Sequence, residues 1–240
     1  DAVEIGVNRR FANHFYFDAS YTWSRLFGNY AGLASSDENG RTSPNVNRNF
    51  DLPFIGFSAL GQPDNGRLPT DRPHVFKLSG AYEFEWSKTN STEISGFTTL
   101  QSGTPVSTRF TLFGVAAQFL NGRGDLGRTE AFSQSDLGIR HRYRFGNDGR
   151  FALIANVDIL NLFDESNVLG RFETFSPTGV TLTSLPGFPS DRDEATIIFQ
   201  TQETSSRINT FLAPTRDLRF DLPNSFQGPR SVRFGVRLQF

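Results

Sequence analysis

The chain has no cysteine and no methionine among its 240 residues, and only Lys77 and Lys88 of its 24 basic side chains are lysine. Without cysteine there is no disulfide framework, no thiolate zinc cluster and no thiol nucleophile, a pattern compatible with a cell-envelope protein that does not rely on bridges. Charge of one sign is missing too: Lys plus Arg is 24 against 25 for Asp plus Glu, a formal net of −1, so no electrostatic case for nucleic acid exists. Long apolar runs are also absent. A spanning helix needs roughly 18 or more such residues, whereas the uncharged stretches at residues 94–108 and 110–122 are shorter and are broken by Gly, Asn or Pro. A transmembrane helix is excluded; a membrane is not, because barrel strands hide their apolar residues in alternation. The chain opens on Asp1, from which a mature or cut piece of a longer polypeptide is expected.

What is present is phenylalanine. Twenty-six Phe, five Tyr and two Trp make the chain 14% aromatic, yet its mean hydropathy is −0.38. Alternation reconciles the two. Phe15, Phe17, Ala19, Tyr21 and Trp23 share one parity, while His14, Tyr16, Asp18, Ser20, Thr22 and Ser24 share the other. A period of two places these sets on opposite faces of a strand. The pattern recurs over residues 72–86 (Phe76, Leu78, Tyr82, Phe84, Trp86), 136–145 (Leu137, Ile139, Tyr143, Phe145) and 151–163 (Phe151, Leu153, Val157, Ile159, Phe163). It is cleanest at residues 231–240, where Val232, Phe234, Val236, Leu238 and Phe240 oppose Arg233, Gly235, Arg237 and Gln239. Weaker segments at residues 3–9 and 92–101 bring the expected strands to seven.

The connections alternate between short and long. Short joints fall around Ala12-Asn13, at residues 87–91 and at Gly146-Asn147-Asp148-Gly149, a good tight-turn sequence. Residues 28–71, 102–135 and 164–230 are long and rich in Gly, Pro, Asn, Ser and Asp. Structureless loops beyond about 12–15 residues are uncommon in compact domains, but short periplasmic turns and long extracellular loops are the rule in outer-membrane barrels. The expected fold class is therefore all-β: an antiparallel up-and-down transmembrane β-barrel segment of about seven meandering strands. Placing the short turns in the periplasm sets Phe15, Phe17, Phe84, Trp86, Tyr143, Phe145, Phe151 and Phe240 at one membrane interface. Trp23, Phe27, Phe76 and Phe163 then lie at the other, giving two aromatic girdles. A soluble β-sandwich and an outer-membrane barrel enzyme remain the competing classes.

The residues resemble a known family, the C-terminal barrel portion of TonB-dependent outer-membrane receptors, and within it the Oar-like branch. The similar features are Phe17-Asp18-Ala19-Ser20-Tyr21-Thr22-Trp23-Ser24, Asp71-Arg72-Pro73-His74-Val75-Phe76-Lys77-Leu78-Ser79-Gly80, Gln101-Ser102-Gly103-Thr104-Pro105 and Asn161-Leu162-Phe163-Asp164. The ending completes them: Val232, Phe234, Val236, Leu238 and Phe240 resemble the signal read by the barrel-assembly machinery. The resemblance implies a 22-stranded barrel with a plug and a TonB box, importing a ligand such as a siderophore, carbohydrate or peptide. Residues 1–240 would be its C-terminal part, since seven is odd and single-chain bacterial barrels close with even numbers. Implied partners are outer-membrane lipid and lipopolysaccharide, the barrel-assembly machinery, the TonB complex through a preceding segment, and a small ligand. No cofactor, metal or catalytic residue is implied.

Chemical motifs are sparse. His14 and His74 are set at opposite ends of the strands, and His141 has the lipid-facing parity in mid-strand, with no functional account. No Gly-x-Ser-x-Gly elbow occurs. Gly122-Arg123-Gly124-Asp125-Leu126-Gly127 fits Gly-x-Gly-x-x-Gly but sits in a long loop without the strand and helix that such a site needs. Asp37-Glu38-Asn39-Gly40 and Asp64-Asn65-Gly66 could bind calcium, but as turn formers they need no ion, and an EF-hand spacing is absent. The constellation carried forward is a cationic stripe on the lumen parity: Arg140, Arg142 and Arg144 on the fifth strand with Arg233 and Arg237 on the seventh. It would attract an anionic ligand, or pair with a plug or with Asp136 and Asp158. Residues 164–229 carry nine acidic residues and five Arg, with Phe172, Phe175, Phe188 and Phe199 interspersed, and a short helix is expected within residues 190–210.

Overall fold

The computed structural model describes residues 1–29, 56–114, 116–146 and 150–240. Its frame is one antiparallel sheet of seven strands: β1 (Ala2–Ala12), β2 (Phe15–Ser24), β3 (His74–Glu85), β4 (Asn90–Gln101), β5 (Phe132–Phe145), β6 (Phe151–Leu160) and β7 (Ser231–Gln239). They pair strictly in chain order, so the sheet is an up-and-down meander with β1 and β7 as open edges.

The register carries one apolar face through all seven strands. Directly paired residues share a face, and the pairs run Ile5↔Tyr21, Tyr21↔Phe76, Phe76↔Leu100, then Ile94↔Ile139, Ile139↔Val157 and Val157↔Phe234. Among the described residues nothing packs on this face: Ile5 is 62% exposed and Phe234 79%. A sandwich would bury it against a second sheet. An apolar surface of this extent has hydrocarbon as its matching solvent.

The short turns gather at one end. The first is Asn13-His14, with φ of 51° and 71°, the left-handed pair of a two-residue hairpin. It sits one residue beyond the expected Ala12-Asn13, because the register shifts between Arg9 and Ala12. The second closes on Ser87, whose Oγ accepts from the Thr89 and Asn90 amides at 3.3 and 3.1 Å. Asn147-Asp148-Gly149 and Asp37-Glu38-Asn39-Gly40 lie outside the described residues.

Two strand bounds differ from expectation. β5 begins at Phe132, earlier than residue 136. Its added outer-face residues Ser133 and Ser135 carry no apolar signal; Ser135 is accommodated by a 3.0 Å hydroxyl contact with Thr98. β6 stops at Leu160, because Asn161 takes φ of 53° and turns the chain away. Phe163 is therefore a loop residue, and Phe27 likewise belongs to a two-residue ribbon with Arg67, so neither is a strand-borne girdle residue.

At the other end the long connections do not behave as solvated loops. They build a cap with its own core: Ala59 from the first connection, Phe110, Leu112 and Leu120 from the second, and Phe175, Leu182, Phe199, Ile208 and Leu212 from the third. Two helices belong to it, α1 (Arg192–Thr201) and α2 (Ser205–Leu212). The helix expected within residues 190–210 is present, and Asp191 caps α1 by accepting from the Asp193 and Glu194 amides, both at 3.0 Å. Each helix buries residues four apart, Ala195 with Phe199 and Ile208 with Leu212, the spacing of one helical face. Backbone bonds interlock the connections, with Ala59 N–H donating to Phe119 O (3.1 Å), Thr204 N–H to Ala59 O (2.7 Å) and Phe113 N–H to Val180 O (2.7 Å).

Candidate functional site

The polar face of the sheet places all five arginines of the stripe together. In the paired register Arg142 and Arg237 stand in one row across Ile154, and Arg233 faces Asp158. The face is divided electrostatically. Over β1–β4 its charged residues are Glu4, Asp18, Glu83, Glu85 and Glu93 against Arg10 and Lys77, a net of −3. Over β5–β7 the five arginines oppose only Asp136 and Asp158, a net of +3. The sequence shows each charge, but only the register assembles them into two banks.

Pairing of the stripe with Asp136 and Asp158 is not what the structure contains. Asp136 is occupied by Gln134 Nε2 (2.9 Å) and the Asn161 amide (2.8 Å), and Asp158 accepts from Asn156 Nδ2 (2.9 Å). Arg140 reaches Glu93 at 3.5 Å. Among the described residues, Arg142, Arg144, Arg233 and Arg237 reach no carboxylate.

The outer face carries the expected belt at the turn end. Tyr82, Phe84 and Trp86 form a column with ring centroids 4.5 and 5.9 Å apart, joined by Phe15 at 6.5 Å from Tyr82. Tyr143, Phe145 and Phe151 form a second at 5.9 and 5.5 Å. Arg9, on the same face, lays its guanidinium 4.0 Å over Phe15, the posture of a side chain reaching for an interface. His141 gains an account here. Its Nδ1 lies 2.9 Å from Thr92 Oγ1, which also accepts from Trp86 Nε1 at 2.9 Å. The imidazole is a polar neighbour of the belt, not an orphan in hydrocarbon. His74 is likewise engaged, 2.8 Å from Tyr21 Oη at the loop end. Val232, Phe234, Val236 and Leu238 point outward from β7 and are 47–79% exposed, with Phe240 just past the strand at 89%.

The internal motifs fix the cap to the sheet. Asp71 is 1% exposed and accepts from the Leu26 amide at 2.7 Å. Arg128 donates to the Asp71 carboxylate and, at 2.8 Å each, to the carbonyls of Asp71 and Gly103. Arg72 donates to Ser102 O at 2.7 Å. Two loop bases are thereby bound to the mouth of β3. Gly103 is required: a Cβ there would lie 1.9 Å from Thr129 O. Asn161, 2% exposed, donates to Glu165 O and Gly228 O at 2.9 Å each, clamping both ends of the third connection. The sequence reading missed Arg128, whose partner lies 57 positions away.

The remaining candidates resolve as structure. Arg123 of the Gly-x-Gly-x-x-Gly segment forms a two-bond pair with Asp64 (3.0 and 2.8 Å), both side chains nearly buried, and its guanidinium lies 4.4 Å from the Phe119 ring. Asp125 is held by Thr108 Oγ1 and N at 2.5 and 2.7 Å. The glycines at 122, 124 and 127 have φ of 87°, 78° and 82°, which makes the segment a chain of turns instead of a helix start. The same pair engages Asp64 of Asp64-Asn65-Gly66. Phe199 and Phe175, at 0% and 9% exposure, belong to the cap core and do not face a ligand.

Comparison with known proteins agrees with this geometry. The model of a family described as outer membrane beta barrel domain matches residues 1–156. Over its whole length the chain is 33% identical to the TonB-dependent transporter Oar of Myxococcus xanthus, and it spans 22% of that protein's length. No solved structure matches it. An open antiparallel meander with a lipid-matched outer face, a charged inner face and a matching family model lead to one conclusion: the chain belongs to the outer-membrane β-barrel domain family, is related to a TonB-dependent transporter, and resides in the bacterial outer membrane.

Proposed function

We propose that residues 1–240 form the C-terminal portion of a TonB-dependent receptor barrel, whose full-length protein imports a ligand across the outer membrane using energy delivered by TonB. The observation that carries this reading is the division of labour in the chain: one lipid-matched wall, and a folded cap at the end opposite the short turns. The end-to-end relation to a TonB-dependent transporter supports it. The chain has a transport role without catalysis of its own. His14, His74 and His141 belong to a turn and to two separate outer-face contacts, not to a shared centre.

On this reading Val232, Phe234, Val236, Leu238 and Phe240 are recognised by the barrel-assembly machinery, lipopolysaccharide surrounds the loop end, and the lumen arginines draw anionic groups inward. In the full-length protein, cross-linking to TonB in intact cells is expected, together with uptake that stops when TonB is deleted. Uptake independent of TonB would end the proposal. A simpler check addresses the fold: the chain should need detergent or lipid, and a monomeric, folded chain in plain buffer would contradict a barrel segment.

A further inference from the structure

We infer that the inner wall carries an oxyanion site at the periplasmic end, built by Arg142, Arg144 and Arg150 with Gln239, that holds a phosphate or carboxylate group. The inference rests on the reading of the arginine face as a lumen. Together with Phe240 these residues line a cleft of about 350 Å³ with Ala152 as its floor. That is ample room for a well-hydrated oxyanion, at roughly 30 Å³ of liquid volume per water.

The cation excess is local. Arg142 and Arg144 stand two positions apart on one strand face, about 7 Å along the chain direction. None of the three arginines reaches a carboxylate among the described residues. Among the described residues Arg150 meets the Phe151 ring, 5.9 Å from its guanidinium. Arg142 Nε is buried and finds no acceptor. A buried donor without a partner and clustered like charges both disfavour an empty site. One oxyanion resolves both, because guanidinium groups present forked donors to its oxygens.

The floor strengthens this. Ala152 and Ile154 lie on the polar face of β6, yet they are only 8% and 9% exposed. In register they stand between Arg144 and Gln239 and between Arg142 and Arg237. An anion held over an apolar floor meets a lower dielectric than one in open water, so each charge-assisted bond gains strength. The acidic bank gives the site direction. Glu83 and Glu85 border the neighbouring cleft, which Arg142 and Arg144 also line. An anion is thus repelled from β3 and drawn toward β5–β7.

The shared chemistry has two sources, a free anion or a carboxylate on the polypeptide itself, and the sign of a stability change separates them. The full-length protein in detergent micelles is heated with increasing inorganic phosphate at constant ionic strength, as wild type and as Arg142→Gln/Arg144→Gln. For a free oxyanion, phosphate raises the wild-type melting temperature, the double variant needs at least about tenfold more phosphate for the same rise, and without phosphate it melts no lower than wild type. For a resident carboxylate, phosphate does nothing to wild type and the variant melts lower, with Arg142→Lys/Arg144→Lys restoring much of the loss. Equal melting of all three proteins at every phosphate concentration, or an undiminished phosphate response in the glutamine variant, overturns the site. The lumen reading is tested apart from it, by labelling Ile154→Cys and Ala155→Cys in outer membranes with a charged thiol reagent. Labelling of 154 alone is expected; labelling of 155 alone would sink the lumen assignment and leave the anion result standing.

Discussion

The wall and the cap use the same residue types in opposite ways. On the wall, Val3, Phe234 and Val236 stand 57%, 79% and 77% exposed, and the strands are held by backbone ladders between nearest neighbours. In the cap, Phe110, Phe199 and Leu212 are 1%, 0% and 0% exposed, packed among residues from three connections. A fully buried side chain of this kind contributes about 1.5–3 kcal/mol by leaving water. The cap thus draws on the ordinary hydrophobic effect, whereas the wall's apolar face gains nothing until hydrocarbon replaces water beside it. The lesson is that stability of the two parts depends on different solvents.

The largest expected break in this comparison is Phe199→Ala, which should cost the cap about 3–5 kcal/mol. Hydrogen exchange should rise in α1 and α2 while β1–β7 keep their protection; equal loosening of the wall would mean that the two parts are one cooperative unit. Next, Val157→Arg on the lipid face should cost about 2–4 kcal/mol near the bilayer midplane, and Asn156→Arg, one residue away on the inner face, far less. Refolding yield in lipid vesicles, read by the heat-dependent shift on gels, checks both; similar yields would contradict the register.

Smaller is Arg128→Leu, which strands the Asp71 carboxylate. Breaking a fully buried pair costs about 3–5 kcal/mol, and solvent at Arg128, whose side chain is 24% exposed, should reduce this. Asp71→Asn in the same chain should recover part of the loss, measured by protease resistance of the cap. The smallest effect is at Asp217, a half-buried cap residue whose carboxyl is lowered from 3.8 to about 2, first by the Arg219 side chain and then by its amide. Because the folded value is depressed, its contribution is complete above 3.8 and fades as pH falls toward 2. Arg219→Ala should return the carboxyl resonance midpoint toward 3.8, and an unmoved midpoint would exclude that cause.

Most of the wall was legible in the sequence because alternation is a local property. Phe151, Leu153, Val157 and Ile159 declare their face by spacing alone, and a one-residue slip would put all of them in the lumen. The sequence reading failed where local signal was weak or misleading. Ser133 and Ser135 gave no apolar beat, although they extend β5. Asn161 ends β6 through a left-handed turn that alternation cannot anticipate. The cap was read as solvated loops because its core residues come from three connections and show no common period. The arginine stripe was legible as residues on one parity, but that Arg142, Arg144, Arg233 and Arg237 reach no carboxylate among the described residues was not, since the Asn161 backbone amide and the Asn156 side chain take up Asp136 and Asp158.

By itself the sequence determined the strand periodicity, the side of the wall that meets hydrocarbon, and the absence of bridges or spanning helices, since these follow from residue type and spacing. Only the tertiary structure decided that the long connections fold into a core, that Asp71 and Arg128 bind their bases, and that the inner wall divides into an acidic and a basic bank. Those outcomes depend on pairings between residues tens of positions apart, and the free energy of such contacts exists only once the meander has brought them together.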